Sequence, residues 1–366
     1  MKAYPLVSFV VPCYKLAHLL PQCVDSILSQ TYRELEIIVM DDCSPDNTGE
    51  VAGRYEDKRV NYVRNDPNLG NLRNYNKGIG LCRGKYVWLI SADDYLRDSR
   101  VLERYVGLLE SNPRMGYTCC SGFSVVDGEE RGLISYSMCY ERDRVVKGHK
   151  FLKKLLRGNV VLAASGLVRR ECYEKLGMFP LSKGMVWTGD WYLWCLFALF
   201  YDVGFFATPM VCYREHGLSM TTILKDQNSP ALALGDIAVP WMIRRRADAA
   251  GFRKVSQECL EAIAYTYIRV MTRAEHSISG SQFEESLGQY AVTDTEKIWL
   301  RARVYAGVGD GRYWQGHCEE AKRLYRASLS ADPSRANVLA KVFLLWLGQG
   351  GRFIRRAWRV LAENHS

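Results

Sequence analysis

Two adjacent aspartates, Asp93 and Asp94, follow an apolar run at residues 86–90 that is typical of a buried strand. Such a pair can hold a hard divalent cation, because Mg²⁺ and Mn²⁺ prefer oxygen ligands and bind through one or two carboxylates plus substrate phosphates. The alternative is structural, since either aspartate could cap a helix that begins near Ser99. The rest of the chain has to decide between a cation site and a helix cap.

The chain from residue 7 to about residue 122 alternates between continuous apolar runs and helical patterns. The runs cover residues 7–11, 35–40, 60–63, 86–90 and 117–120. Runs of this length are typical of strands buried on both faces, and Leu20, Val24, Ile27 and Leu28 recur at helical spacing between the first two. Repeated strand–helix–strand units predict an α/β fold with a doubly wound, mainly parallel sheet.

Polar residues follow three of these runs, at residues 12–14, 41–44 and 91–94. Ligands of doubly wound sheets bind beyond the carboxyl ends of the strands, so this coincidence predicts a nucleotide site. A dinucleotide-binding fold is excluded, because its glycine-rich turn should follow the first strand and residues 12–17 contain no glycine.

The length of 366 residues, with 48% hydrophobic and 24% charged residues, predicts about two folded domains. A polar, turn-prone segment at residues 225–230 predicts the boundary between a domain of residues 1–226 and a smaller, all-helical region of residues 227–366. Within that region Ala321, Tyr325 and Pro333 match half of a tetratricopeptide repeat. One partial match favours an ordinary helical hairpin over a repeat stack.

The twelve cysteines lie in apolar stretches without zinc-site spacing, which predicts buried thiols and a cytoplasmic protein. The N-terminus lacks the cleavage site of a signal peptide, and the most apolar window, residues 191–206, is interrupted by Asp202. We therefore predict no transmembrane segment.

The net charge is +9, and arginines are concentrated in the C-terminal third of the chain. They do not form a recognisable nucleic-acid-binding motif, so we predict no nucleic-acid partner. Residues 353–361 can form a helix with a basic face and an apolar face. One interpretation is a helix docked on its own domain. The other is a peripheral contact of residues 350–366 with the anionic inner face of the plasma membrane.

Residues 6–222 resemble the inverting glycosyltransferases of family 2, which have the A-type nucleotide-sugar fold. Each motif is weakly specific, but so many in one order are hard to obtain by chance. The motifs occupy residues 10–14, 26–32, 38–44, 68–70, 83–87, 93–94, 165–170, 176–179, 189–193 and 213–219.

The resemblance implies roles for the residues around the predicted nucleotide site. Asp42 would contact the base, Asp93 the ribose and Asp94 a Mn²⁺ or Mg²⁺ ion. The predicted nucleotide-sugar contacts also include Pro12, Tyr14, Asn68 and Arg73. Arg73 or Lys77 could contact phosphate oxygens of the donor, but both could equally lie on a solvated helix face.

His216 lies in another motif of the resemblance, which makes it a candidate contact for the diphosphate or the metal. Without the resemblance it would be a histidine of a surface loop. Two positions depart from the family: Ser91 stands where an aspartate is common, and Gly189 stands where a glutamate is common.

Asp190 is, by the same resemblance, the general base that takes the proton of the acceptor hydroxyl, a role that contributes roughly 10²–10⁴-fold. The structural alternative is a helix cap, because Asp190 precedes an apolar helical pattern at residues 191–200. Trp187 and Trp191 are predicted acceptor contacts within an aromatic cluster that is otherwise core.

Together with these residues, the resemblance implies a metal-dependent inverting hexosyl- or N-acetylhexosaminyl-transferase that uses a UDP-sugar. Its acceptor would be a glycan or lipid-linked glycan of a bacterial surface polysaccharide, such as lipopolysaccharide or capsule. The alternative is a non-catalytic protein that binds nucleotide-sugar or glycan, with the helical region as an interaction module. A nucleotidyltransferase would normally have a glycine-rich basic loop after the first strand, and residues 12–17 lack one.

Overall fold

The computed structural model describes residues 4–217, 219, 222, 230–273, 278–291 and 293–346. The predicted membrane-contact segment, residues 350–366, lies outside the described residues, as do residues 225–229 of the predicted boundary. The chain divides into two packing units, Met1–Gln227 with Met242–Ser256, and Asn228–Trp241 with Gln257–Ser366.

The described residues of the first unit form a ten-stranded sheet whose central order is β3-β2-β1-β4-β9-β6-β10-β5, with β7 beside β6 and β8 beside β10. The strands are β1 (Val7–Cys13), β2 (Leu35–Asp41), β3 (Val60–Arg64), β4 (Tyr86–Leu89), β5 (Tyr95–Leu96), β6 (Met115–Val126), β7 (Glu129–Leu133), β8 (Arg144–Val146), β9 (Leu167–Arg169) and β10 (Asp202–Glu215).

The first four strands of that order run parallel to one another. Val7 of β1 pairs with Leu35 on one side and Tyr86 on the other, and Ile37 of β2 pairs with Val60 of β3. Every residue of β1 and β2 is buried, as their continuous apolar sequences require. All five predicted strands are present, and the predicted mainly parallel α/β sheet is confirmed.

The other half of the sheet is mixed. β9 is antiparallel to both β4 and β6, whereas the long strand β10 is parallel to β6 and antiparallel to β5. Pro209 falls inside β10, where the pairing register shifts between Phe206 and Val211. Proline has no amide hydrogen for a ladder bond, so it belongs at such an irregularity.

Among the described residues up to position 217, seven α-helices connect or cover these strands. Trp88 of β4 stacks on Phe9 and on Tyr105, and its indole donates to the carbonyl oxygen of Ala164 at 2.8 Å. The helices are α1 (Leu20–Leu28), α2 (Thr48–Ala52), α3 (Asn71–Leu81), α4 (Val101–Ser111), α5 (Gly148–Leu155), α6 (Arg170–Leu176) and α7 (Gly189–Phe200).

The rest of the described chain is helical, which confirms the expected all-helical C-terminal region. Tyr325 and Asp310 show how two consecutive helices pair: Tyr325 Oη donates to Asp310 Oδ1 at 2.7 Å, and its ring packs where Gly309 has no side chain. The helices are α8 (Pro230–Ala249), α9 (Arg253–Thr272), α10 (Gly280–Tyr290), α11 (Asp294–Trp314), α12 (Cys318–Ala331) and α13 (Ala336–Trp346).

The cysteines are free thiols, and ten of the twelve are buried, as the sequence predicts. Among the described residues, no helix combines the length and the apolar character needed to cross a membrane.

Two glycines of the first unit should respond in opposite ways to a methyl group. At Gly148, which starts α5, a Cβ atom would lie 2.1 Å from the carbonyl oxygen of Tyr201 and 2.3 Å from that of Ala198. Because both are backbone atoms, we expect Gly148→Ala to lower the free energy of unfolding by roughly 1–3 kcal/mol or more.

Gly107 provides the matched control, because it is exposed within α4 and a Cβ atom there would meet nothing within 4 Å. Gly107→Ala should raise the free energy of unfolding by roughly 0.5–1 kcal/mol, the helix cost of a glycine. Urea denaturation of both variants checks the pair. Wild-type stability in Gly148→Ala would show that α5 is not held this closely against the end of α7.

Candidate active site

The structure brings the three predicted polar segments together at one edge of the sheet. β1, β2 and β4 are parallel neighbours, so their carboxyl ends lie side by side. The amide of Asp42 donates to the carbonyl oxygen of Cys13 at 3.0 Å, and the amide of Ala92 donates to that of Pro12 at 3.1 Å. The segments after β2 and β4 are therefore each bonded to the carboxyl end of β1.

Asp42 has a structural role in this edge. Its carboxylate accepts hydrogen bonds from the Asn65 side chain at 2.9 Å and from the amides of Leu69 and Gly70 at 2.8 and 2.9 Å. The Asn68 side chain donates to the Asp42 carbonyl oxygen at 2.6 Å. Three donors take up most of the acceptor capacity of a carboxylate, so Asp42 first of all shapes the turn at residues 68–70. Its contact with a base stays a prediction.

A buried amide network continues from Asp42 to helix α3. Asn65 donates to Asn74 Oδ1 at 2.8 Å and accepts from Lys77 Nζ at 2.7 Å, and Asn74 donates to the Met40 carbonyl oxygen at 3.1 Å. The Lys77 ammonium is thus engaged by the loop. Arg73, by contrast, is exposed and makes no hydrogen bond or ion pair within the described chain.

The segment after β1 presents an aromatic face. Tyr14 is 44% exposed, and Lys15 Nζ lies 5.1 Å from the centre of its ring. The Lys15 amide donates to Ser44 Oγ at 3.1 Å, which fixes this segment to the loop after β2. Pro12 lies inside β1 and is buried, so of the two predicted contacts Tyr14 is the accessible one.

Asp93 and Asp94 do not cap the helix that follows them. Helix α4 begins at Val101, its cap residue is Arg100, and the Arg100 amide donates to Asp98 Oδ1 at 2.7 Å. The Asp94 amide instead donates to the Ser91 carbonyl oxygen at 3.0 Å and closes a tight turn. The structural alternative for the acidic pair is therefore wrong.

Arg214 holds this acidic turn from strand β10. Its amide donates to Asp94 Oδ1 and its Nε to the Asp93 carbonyl oxygen, both at 3.0 Å. Its Nη2 donates to Gln22 Oε1 at 2.6 Å. The antiparallel pairing of Tyr95 with Cys212 explains this position, because it places residue 214 opposite residue 93.

His216 extends the same set, since its Nε2 lies 3.0 Å from Asp93 Oδ2. The other carboxylate oxygen of Asp93, Oδ1, is buried and has no hydrogen-bond partner. Burial, and next the charge of Asp93, raise the pKa of Asp94 well above its ordinary value. Two crowded carboxylates with an unpaired buried oxygen are what a divalent cation would relieve.

These residues fit a cation bound jointly with a substrate. Among the described residues, no three acidic, histidine or cysteine side chains converge as a complete metal cage. Mg²⁺ and Mn²⁺ commonly bind through one or two carboxylates and take their remaining oxygens from substrate phosphates. Asp93, Asp94 and His216 supply that kind of partial site.

Asp190 lies in the first turn of α7 rather than at its cap, which is Thr188. Asn159 Nδ2 donates to Asp190 Oδ2 at 3.0 Å. Burial raises the pKa of Asp190 to about 6, although the Trp191 amide and Asn159 act in the opposite direction. A carboxylate with this pKa is ionised at neutral pH and is well matched to a general base.

The acidic turn and Asp190 belong to one electrostatic neighbourhood. The pKa of Tyr75, on α3, is raised first by burial and then by the charges of Asp93, Asp190 and Asp94. Desolvation, Tyr213, Asp190 and Asp94 act in the same direction on Tyr136. Tyr136 is 49% exposed, so the effect of these charges on its pKa matters little. The effect does indicate that the carboxylates of Asp94 and Asp190 both lie near Tyr136.

Gly189 explains one departure from the resembling family. A Cβ atom there would lie 3.0 Å from Phe179 and 3.3 Å from Leu72. Asn76 holds Phe179 in place by donating to its carbonyl oxygen at 2.9 Å and accepting from its amide at 3.0 Å. The space of a larger residue at position 189 is therefore filled by apolar side chains.

The two tryptophans predicted to contact an acceptor differ. Trp191 is 3% exposed and its indole donates to the Leu155 carbonyl oxygen at 2.8 Å, so it packs in the interior and presents no accessible face. Trp187 is half-buried.

Sequence reasoning missed four residues of the site: Arg214, Asn159, Tyr75 and Tyr136. Arg214 lies two positions before His216, so its motif was a usable signal. Nothing in the sequence around Asn159 marks it as a partner of Asp190.

Comparisons with known proteins point to one family. Residues 8–176 match the family model described as glycosyl transferase family 2. An uncharacterized glycosyltransferase of Rickettsia typhi is 27% identical over 226 residues, which cover 61% of this chain and 68% of the relative. The glycosyltransferase GlyG of Streptococcus pneumoniae is 34% identical, over 29% of this chain and 36% of its own.

A solved structure shares the fold over most of the chain. S. aureus TarS 1–349 in complex with UDP-GlcNAc superposes with a TM-score of 0.55 at 14% identity, covering 93% of this chain and 90% of that one. An uncharacterized glycosyltransferase of Bacillus subtilis, EpsJ, is 29% identical over 48% of this chain and 51% of its own.

The Arg214 contacts lead to a stability prediction. Arg214→Met removes the charged hydrogen bonds to the acidic turn and to Gln22, and we expect the free energy of unfolding to fall by roughly 1–3 kcal/mol. Urea denaturation measures the change. Gln22→Ala is the control, because it removes only an exposed partner and should stay within roughly 0.5 kcal/mol of wild type. Equal effects of the two substitutions on the free energy of unfolding would show that the Arg214 side chain does not stabilise the acidic turn.

Proposed function

Residues 8–176 make the chain a member of glycosyltransferase family 2, and on that premise we propose that it transfers sugar from a UDP-linked donor with inversion. The acceptor would be a hydroxyl group of a glycan or lipid-linked glycan. The observation that carries the proposal is the shared neighbourhood of the Asp93–Asp94 turn and Asp190, both of which act on Tyr75. UDP-GlcNAc, which TarS binds, is the first donor to test.

In the proposed reaction Asp190 removes the proton of the acceptor hydroxyl as its oxygen attacks the anomeric carbon. The bond from that carbon to the diphosphate breaks, and the nucleoside diphosphate leaves from the opposite face. Holding the hydroxyl in line with this bond supplies much of the rate, because well-oriented groups react at very high effective molarity. Asp190 is suited to the role because it is ionised at neutral pH and half-buried.

Asp93, Asp94 and His216 would hold the Mn²⁺ or Mg²⁺ ion, and the unpaired Asp93 Oδ1 is the oxygen most in need of a partner. A bound cation would neutralise charge on the diphosphate. Ser91 contributes its carbonyl oxygen to the turn rather than a third carboxylate. We retain Asp93 as a candidate ribose contact as well, since its carboxylate lies at the same edge.

Tyr14 and the turn that Asp42 and Asn68 organise form the proposed nucleotide side. Tyr14 offers an exposed ring for the base, and Arg73 is an exposed cation without a partner in the described chain. On the acceptor side we keep Trp187 and replace the buried Trp191 by Tyr136, which is exposed and lies near Asp190.

A non-catalytic protein that binds nucleotide-sugar or glycan is the second candidate. It would keep the donor site but would not need an ionised, half-buried carboxylate beside it. The pKa of about 6 at Asp190 therefore favours the enzyme. Surface polysaccharide assembly, and lipopolysaccharide or capsule in particular, remains a prediction from the resemblance.

Asp190→Asn tests the base directly. The substitution keeps the shape of the side chain and removes its basicity, so we expect transfer to fall by roughly 10²–10⁴-fold. Thermal unfolding and donor-induced stabilisation should stay at wild-type values, which separates loss of chemistry from loss of folding. A variant that keeps most of its transfer activity would assign the base to another residue.

The wild-type activity should depend on pH through the same group. Asp190 is active when ionised, so kcat/KM should be constant above its pKa of about 6 and fall as the pH drops through that value.

Donor and cation binding can be measured without any acceptor. UDP-GlcNAc with Mn²⁺ should raise the thermal unfolding temperature more than either alone, because a ligand that binds the folded chain stabilises it. A ligand at 100 times its Kd adds roughly 2.7 kcal/mol to the free energy of unfolding. Asp93→Asn should remove the part that depends on Mn²⁺. Asp98→Asn, an exposed aspartate of the same segment, is the control and should keep it. Mn²⁺-dependent stabilisation that survives in Asp93→Asn would place the cation elsewhere.

A further inference from the structure

The Asp190 carboxylate is held by a side chain from outside its own helix. Asn159 belongs to the segment after α5, and its Nδ2 donates to Asp190 Oδ2 at 3.0 Å. The orientation of this amide is fixed by its other end, because Asn159 Oδ1 accepts from the Val161 amide at 3.1 Å. An amide whose oxygen is engaged in this way must present its NH₂ group to Asp190.

A second N–H group lies on the next turn of α7. Trp194 lies four residues after Asp190, so both side chains are on the same face of the helix. Trp194 is 5% exposed, and its indole Nε1 is buried without a hydrogen-bond partner. Its N–H nevertheless acts on the Asp190 carboxylate and lowers the pKa of Asp190, although the geometry falls short of a formed bond.

The Trp194 ring has little freedom to turn away. A Cβ atom on Gly166 would lie 2.2 Å from Trp194 Cη2, so the ring packs directly against the Gly166 backbone. The ring of Tyr117 lies on another side, with the centroids 5.1 Å apart. Close packing therefore keeps the indole N–H beside Asp190.

We propose that Asn159 and Trp194 are positioning residues that together keep the Asp190 carboxylate ionised and correctly oriented toward the acceptor hydroxyl. The inference rests on the proposed function, because that function gives the orientation of Asp190 its purpose. The contacts of Asn159 and Trp194 do not depend on the proposed function. Neither residue touches the reacting atoms.

The physical reason is the balance between burial and hydrogen bonding. Burial favours the protonated carboxyl, whereas each N–H donor favours the ionised form, so removal of a donor raises the pKa. The charge of Asp190 acts on Tyr75 of α3 and on Tyr136 in the turn at residues 135–137, and the charge of Asp94 acts on both as well. The two tyrosines have raised pKa values and stay neutral near pH 6, whereas the pKa of Asp94 is itself raised, so the Asp190→Asn variant is needed to assign the titration to Asp190.

The indole signal of Trp194 offers a readout that needs no substrate. The chain has nine tryptophans, and in a ¹⁵N-labelled protein the Trp194→Phe variant identifies the Trp194 signal by its loss. This signal should shift with pH around a midpoint near 6 in the wild type, and it should not shift in Asp190→Asn. In Asn159→Ala the midpoint should move upward by roughly one pH unit.

Asn159→Asp is the second variant, because it keeps the size of the side chain and leaves no cavity. It places a second carboxylate beside Asp190, and the like charge should move the midpoint upward further than the alanine does. Asn112→Ala is the control, since Asn112 follows the last residue of α4 and donates back to the Leu108 carbonyl oxygen of that helix at 2.8 Å. It should leave the midpoint unchanged.

The pH profile of kcat/KM tests the same inference in the working enzyme. In Asn159→Ala and Trp194→Phe the acid limb should move to higher pH, so that activity recovers in part at alkaline pH. A purely structural role would instead lower activity by one factor at all pH values. That result would overturn the inference, as would a wild-type indole that does not titrate or a midpoint that Asn159→Ala leaves in place.

The outcomes also separate this inference from the proposed function. If the indole titrates and responds to Asn159 but no donor is turned over, the positioning of Asp190 stands and the proposed transfer fails. If transfer is observed with the wild-type acid limb in both variants, the proposed function stands and the positioning role fails.

Discussion

The site depends on the parallel pairing of β1, β2 and β4, which places three strand ends at one edge of the sheet. Two backbone hydrogen bonds, from Asp42 to Cys13 and from Ala92 to Pro12, tie the segments after β2 and β4 to the end of β1. Asp42, Asp93 and Asp94 are therefore held by the sheet although all three lie in loops. Precise placement matters here, because reacting groups must be aligned before the chemistry begins.

The carboxylates of Asp42, Asp93, Asp94 and Asp190 are each stabilised differently. The difference follows from the hydrogen-bond donors that each one meets. Asp42 accepts three hydrogen bonds and acts as part of the scaffold. Asp93 keeps one buried oxygen without a partner, and the pKa of Asp94 is raised by burial and by Asp93, so this pair is the part of the site that a cation would complete. Asp190 lies between these cases, ionised at neutral pH but basic enough to take a proton.

The sequence predicted those parts of the fold that depend on local pattern. Continuous apolar runs predicted β1 to β4 and β6, because strands buried on both faces need no alternation. β9 has only three residues, and β10 is interrupted at Pro209, so neither has a pattern that periodicity can detect. The same limit applies to the site. Asp93, Asp94 and Asp190 could be predicted from motifs. Asn159 could not, because it contacts Asp190 across 31 residues of sequence.

Gly189 links packing to the chemistry of Asp190. Phe179 and Leu72 occupy the space beside it, and Asn76 fixes Phe179 through two hydrogen bonds, so a larger residue at position 189 would press against both side chains. A neighbouring carboxylate would raise the pKa of Asp190 by like-charge repulsion, in addition to the effect of burial. With glycine in that place, burial is the main cause that raises the pKa, and the Trp191 amide and Asn159 oppose it, so that the carboxylate is ionised at neutral pH. The departure from the family pattern thus leaves a single carboxylate whose basicity is set by its immediate hydrogen-bonding partners.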